Sequence, residues 1–187
     1  FKLYSFVILA VNINSRIQMG FISLLTQLSN WADVFTRNNY KDLMIESFVY
    51  CQKEKGLSIH AYVIMTNHIH MIISRKGTNE LSAILRDLKK FTSFKIIGAI
   101  MANDQESRKN WMLKMFEESG IHNKYQFWQE GNHPVELVNN TMIEQRLDYI
   151  HQNPIKAGFV SKTEDFVYSS AANYCGEKGL FEIELIV

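Results

Sequence analysis

The sequence is poor in several features that usually classify a chain quickly. Only two cysteines occur in 187 residues, Cys51 and Cys175. They are too far apart to form a metal-type pair and too few for a disulfide framework, so two reduced thiols are expected. Net charge is +1, so no global basic excess points to nucleic acid, and any such surface must be local. No apolar run reaches the roughly 18 residues of a membrane span. Residues 2–10 are mildly apolar but short and without a cleavage pattern, unlike a signal peptide. Internal repeats, low-complexity tracts and linkers are absent. What is present is 47% hydrophobic and 12% aromatic residues, enough for one domain with a real core. The chain opens on Phe1 rather than methionine. Residues 1–19 are read as an atypical N-terminal extension, with Met19 a candidate start, and residues 20–187 as a single domain.

Periodicity sets out the elements. Residues 21–27 read as a first strand. From Asn38 to Lys55, Leu43, Met44, Phe48 and Cys51 recur at helical spacing, and Gly56 ends the helix. Residues 57–65 and 68–74 read as two strands joined by a tight turn at Thr66-Asn67, where asparagine tolerates unusual backbone angles. Thr78 and Asn79 offer an N-cap for a helix to about Ile100, with Leu81, Ile84, Leu85, Leu88 and Phe91 as its buried stripe. Residues 102–120 read as a further helix, with Trp111, Met112, Met115 and Phe116 inward and Gly120 at its end. Residues 124–129 read as a strand. Thr141 with Glu144 forms a capping box for a helix that stops at Pro154. Residues 180–187 are too apolar for a free tail and suggest an edge strand or a partner contact.

Two stretches carry chemistry. In Thr66-Asn67-His68-Ile69-His70, strand alternation puts His68 and His70 on one face. Two neutral imidazoles so placed can ligate a divalent metal, although an exposed His-x-His on a solvated strand is the commoner case. His60, on the preceding strand, reads as a half-exposed strand residue rather than a third ligand. Downstream, Tyr149 and Asn153 lie four residues apart near a helix end and so share a face.

At these residues the chain resembles the HUH endonuclease superfamily. Thr66-Asn67-His68-Ile69-His70 is similar to its histidine-hydrophobe-histidine motif, with threonine where the family usually has proline. The stretch from Tyr149 through Pro154 to Val160 resembles the nucleophile helix of the single-tyrosine branch, which includes the small insertion-sequence and REP-associated tyrosine transposases. Residues 127–134 and 168–174 also match. The resemblance implies an α+β, ferredoxin-like fold: a central antiparallel sheet of four to five strands with packed helices. It implies a metal-dependent single-stranded DNA endonuclease and transposase acting at hairpin or repeat sequences through a 5′-phosphotyrosine. Tyr149 would be the nucleophile, His68, His70 and Asn153 the ligands, and Mg²⁺ or Mn²⁺ the metal. Arg86, Lys89, Lys90 and Lys95, a solvated face in isolation, become backbone contacts beside such a site. Trp128 and Tyr125 are open between base stacking and core packing. His133 and His151 are further candidate DNA contacts. Single-stranded or hairpin DNA is the implied partner, oligomeric state is open between monomer and homodimer, and the expected location is bacterial, cytoplasmic and nucleoid-associated. Two other readings are a catalytically inactive hairpin-DNA-binding relative and a metal-dependent hydrolase that uses water.

Overall fold

A computed structural model of the chain describes residues 20–120, 124–131 and 134–186. The expectations for residues 1–19 and for His133 lie outside the described residues. Four strands form one antiparallel sheet in the order β2-β3-β1-β4: β1 (Ile22–Gln27), β2 (Leu57–Ile64), β3 (His68–Arg75) and β4 (Val135–Glu136). This is the expected α+β architecture. Both faces of the sheet are covered, so β2 is buried along its whole length and β3 at six consecutive positions. That is why both strands read as near-continuous apolar runs.

On one face, Leu24, Tyr62, Ile64, Ile69, Met71 and Ile73 pack against α1 (Asn38–Tyr50), α2 (Leu81–Ala102) and α3 (Lys109–Glu118). The other face carries Ala61, Val63 and Ile72, covered by Ile143 and Ile150 of α4 (Asn140–Lys156). A short α5 (Ala171–Tyr174) follows. Residues 180–186 form no strand, but the Glu184 amide donates to the Ile59 carbonyl at 3.0 Å, and Phe181 stacks on Tyr62. This segment shields part of the open edge of β2.

Local chemistry explains the boundaries. α1 runs through a wider turn over Cys51–Lys55 and ends at Gly56, whose φ of +77° suits glycine. A Cβ at Gly56 would strike the Lys76 carbonyl. The β2–β3 connection is the predicted two-residue turn, closed by the Met65 amide on the His68 carbonyl at 2.9 Å.

Other expectations need correction. Glu80, not Thr78 or Asn79, is the N-cap of α2, and its carboxylate pairs with Arg75. Asn79 instead donates to the Lys55 carbonyl. Phe91 is exposed; the buried stripe continues through Thr92, Ile96, Ile97 and Ile100. The helix expected over 102–120 begins only at Lys109, and Trp111 is exposed. Residues 124–129 make one bridge, Leu28 to Trp128, rather than a strand. α4 is capped by Asn139, whose side chain accepts from the Met142 amide at 2.9 Å, not by Thr141. It also continues through Pro154 to Lys156. Proline fits there because it sits in the last turn, where its missing N–H leaves only the Ile150 carbonyl without its helical partner. Among the described residues no helix is long and apolar enough to cross a membrane.

Candidate active site

β3 alternation sends His68, His70 and Ile72 to the face covered by α4, where Ile72 joins the core beneath that helix. The two imidazoles meet edge to face, with ring centroids 5.0 Å apart. His70 then meets the Tyr149 ring edge to face, with centroids 5.1 Å apart and planes at 88°. Residues 79 positions apart at their nearest, on a strand and a helix, thus form one contiguous row. Tyr149 remains 39% exposed, so the row reaches solvent at this residue. The Asn153 amide donates to the Tyr149 carbonyl at 2.7 Å. This ties the side chain to the helix end and leaves its oxygen, the metal-type donor, uncommitted by that bond.

Two cations that the sequence reading passed over flank the tyrosine. The Arg146 guanidinium carbon and the Lys156 ammonium each lie 5.4 Å from the Tyr149 ring centroid. Positions 146, 149, 153 and 156 recur at three, four and three residues, one stripe of a helix. That spacing was the available signal.

Electrostatics keep the histidines neutral. Burial, helped by neighbouring His68 and Arg146, pulls the His70 pKa down to about 4. Burial also lowers that of His68, against an upward pull from Asp33. His68 Nδ1 lies 2.8 Å from the Asn67 side-chain oxygen. Two imidazoles with free lone pairs on one face fit a divalent metal, with the Asn153 oxygen as a candidate third donor. Among the described residues no group of three or more His, Cys, Asp or Glu side chains could hold a metal. The donor set is therefore an open one of imidazole and carboxamide, unlike a structural zinc cage.

The remaining predicted residues fall elsewhere. α2 packs on the opposite sheet face, so Arg86, Lys89, Lys90 and Lys95 do not adjoin the histidines. Lys89 is half-buried over the Trp128 ring, and burial lowers its pKa. Trp128 is only 7% exposed and donates its Nε1–H to Thr92 Oγ1 at 3.0 Å; it is a core residue with no face free for a base. His151 is buried, with Nε2 2.9 Å from Ser170 Oγ. His60 is buried rather than half-exposed, held between the Glu184 carbonyl and Ser74 Oγ at 2.8 and 2.7 Å. The aromatic that reaches solvent near the turn is Trp31, 61% exposed, with a φ of +55°. Its carbonyl lies 3.5 Å from the Asn67 amide nitrogen.

Residues 27–153 match the family model described as transposase IS200 like. The chain belongs to this family. The span covers His68, His70, Tyr149 and Asn153. Among solved structures, the fold is similar to that of a REP-associated tyrosine transposase bound to a REP hairpin. The TM-score is 0.60 at 19% identity, over 90% of this chain and 86% of the other. A second structure, described as a transposase candidate from Deinococcus radiodurans, aligns at a TM-score of 0.45 and 14% identity, over 71% and 88% of the two chains. No curated protein is a significant match. The IS200-like membership makes this a transposase-type chain.

Proposed function

We propose that the protein is a metal-dependent single-stranded DNA endonuclease and transposase that acts at hairpin or repeat sequences. The observation that carries this reading is the row His68–His70–Tyr149: a neutral imidazole pair in ring contact with a partly exposed phenol. The Tyr149 oxygen attacks the phosphorus of a DNA phosphodiester. A tyrosine–phosphate bond forms, the bond to the 3′ oxygen breaks, and that oxygen leaves as a hydroxyl. The product is a 5′-phosphotyrosine with a free 3′ end, and the reverse attack rejoins DNA without an external energy source.

His68, His70 and Asn153 would hold the metal, Mg²⁺ or Mn²⁺. When bound, it would supply charge stabilisation of the phosphoryl oxygens. Arg146 and Lys156 supply further positive charge where the phosphate must sit to meet Tyr149. Trp31 offers a stacking surface to an unpaired base. Arg86, Lys90 and Lys95, on the far side of the sheet, serve DNA beyond the cut through its backbone phosphates. The hairpin bound by the structural neighbour supports a hairpin partner for this chain.

The test is covalent trapping. Labelled single-stranded hairpin DNA from the flanks of the gene is incubated with protein and Mn²⁺ and run on a denaturing gel. A protease-sensitive shifted band is expected, lost in Tyr149→Phe, in His68→Ala and with EDTA. A band that survives Tyr149→Phe would sink the nucleophile assignment. Hairpin binding with no band in the wild type would favour the catalytically inactive binding relative.

A further inference from the structure

We propose that Asp33 and Asn67 are positioning residues that hold His68 in the tautomer protonated on Nδ1, so that its Nε2 lone pair is presented to a divalent cation. This rests on the reading of His68 as a metal ligand.

Donor and acceptor rules force the arrangement. Asn67 Nδ2 lies 3.0 Å from Asp33 Oδ1 and 3.5 Å from the Trp31 carbonyl. A carboxylate and a carbonyl can only accept. The amide nitrogen must therefore face them, which turns Asn67 Oδ1 the other way. That oxygen lies 2.8 Å from His68 Nδ1 and can also only accept. The proton must then be on Nδ1. A neutral imidazole carries one N–H, so Nε2 keeps its lone pair. The alternative tautomer would aim a hydrogen at the cation.

The relay is anchored at each member. Leu28 N–H donates to the Asn67 carbonyl at 2.9 Å, and Phe35 N–H to the Thr66 carbonyl at 2.9 Å. These bonds fix both turn residues against the β1–α1 connection. At the outer end, Arg108 donates to the Asp33 carbonyl at 2.8 Å. His68 is thus oriented by a carboxylate 34 positions before Asn67 in the sequence. Such partners of a metal-ligating histidine typically matter about 10- to 100-fold in metal affinity.

The test uses the full chain, metal-free, with ¹⁵N-labelled histidine. His68 is assigned by the signal missing in His68→Gln, and Mn²⁺ affinity is read separately by electron paramagnetic resonance of the free ion. The wild type is expected to show His68 protonated on Nδ1. Asn67→Ala and Asp33→Ala should shift it toward the Nε2-protonated form and weaken Mn²⁺ binding about 10- to 100-fold. Asp33 is exposed, so its variants keep the fold. Asp33→Asn retains an acceptor oxygen and should retain both tautomer and affinity; this separates hydrogen bonding from charge. A wild-type His68 protonated on Nε2 overturns the proposal, as does wild-type behaviour in Asp33→Ala and Asn67→Ala, or a wild type that binds no Mn²⁺. Failure of the nuclease reading appears elsewhere, as a missing covalent band with the tautomer result intact.

Discussion

The His70 imidazole and the Tyr149 ring stand perpendicular to each other, at 88°, with a centroid separation of 5.1 Å. The phenol is therefore next to the proposed ligand pair without being needed as a donor. Tyr149→Phe keeps the ring and removes only the oxygen. Its Mn²⁺ affinity should stay within about twofold of wild type, while covalent DNA adduct falls by at least about 10³-fold, the scale for losing a nucleophile. Calorimetric Mn²⁺ titration beside the gel assay checks both halves. A large loss of metal affinity would make the phenol a ligand and change its role.

Arg146 and Lys156 face the same ring from two turns of α4. Each gives up a charge as glutamine. At saturating DNA, Arg146→Gln and Lys156→Gln should each slow adduct formation by about 10²- to 10³-fold, the range for removing one donor from a developing anion. Charge removal at Lys90 or Lys95 on α2 should act differently, weakening DNA affinity and lowering the slope of log affinity against log salt by about one per residue. Single-turnover rates and salt titrations separate the two classes. Equal effects from both would mean that the scissile phosphate is not held by α4.

What could be read from the sequence follows from the range of each signal. His68 and His70 are two apart on a strand, and Tyr149 and Asn153 four apart on a helix, so local periodicity alone puts each pair on one face. The stripe that adds Arg146 and Lys156 obeys the same rule. That both pairs meet is a property of the fold, because α4 covers the β3 face bearing the histidines and α2 the other. A basic stripe on α2 carries no mark of which face it lies behind. Asp33 had no local signal either, since its link to Asn67 depends on the β1–α1 connection folding back onto the turn. Trp128 was ambiguous because a tryptophan has the same composition value whether it fills the core or stacks on a base.

The tryptophans make that ambiguity testable. Trp31 is exposed beside the turn that carries His68, and Trp128 is buried on Thr92. Trp31→Ala should weaken single-stranded DNA binding by about 1–3 kcal/mol, the contribution of one stacked base, and remove most of the DNA-induced fluorescence quenching. Trp128→Phe loses a buried hydrogen bond to the Thr92 hydroxyl. It should cost about 1–2 kcal/mol of stability in urea unfolding and leave DNA affinity unchanged. Quenching that persists in Trp31→Ala would return the stacking role to another aromatic.

Glu106 gives the pH prediction. It is a buried carboxylate between Arg37 and Arg108, with contacts of 2.6 Å to Arg37 Nε and 3.0 Å to Arg108 Nε, and the Tyr40 hydroxyl donates to it at 3.4 Å. Hydrogen bonding from Arg108 is the largest influence on its pKa, which falls to about 2 against an unperturbed 4.5. The folded state thus holds the charged form more tightly than the unfolded state does. The stabilisation is fully present above pH 4.5 and is lost as pH falls through about 2. Glu106→Gln keeps the shape but leaves both guanidinium groups without a counter-charge. Because those groups are partly exposed, the cost at pH 7 should be about 2 kcal/mol, below that of a fully buried pair. Urea unfolding of both proteins from pH 7 to pH 2 tests this. The gap between them should be constant down to about 4.5 and shrink below it; a gap that widens toward acid would contradict the charged state assigned to Glu106.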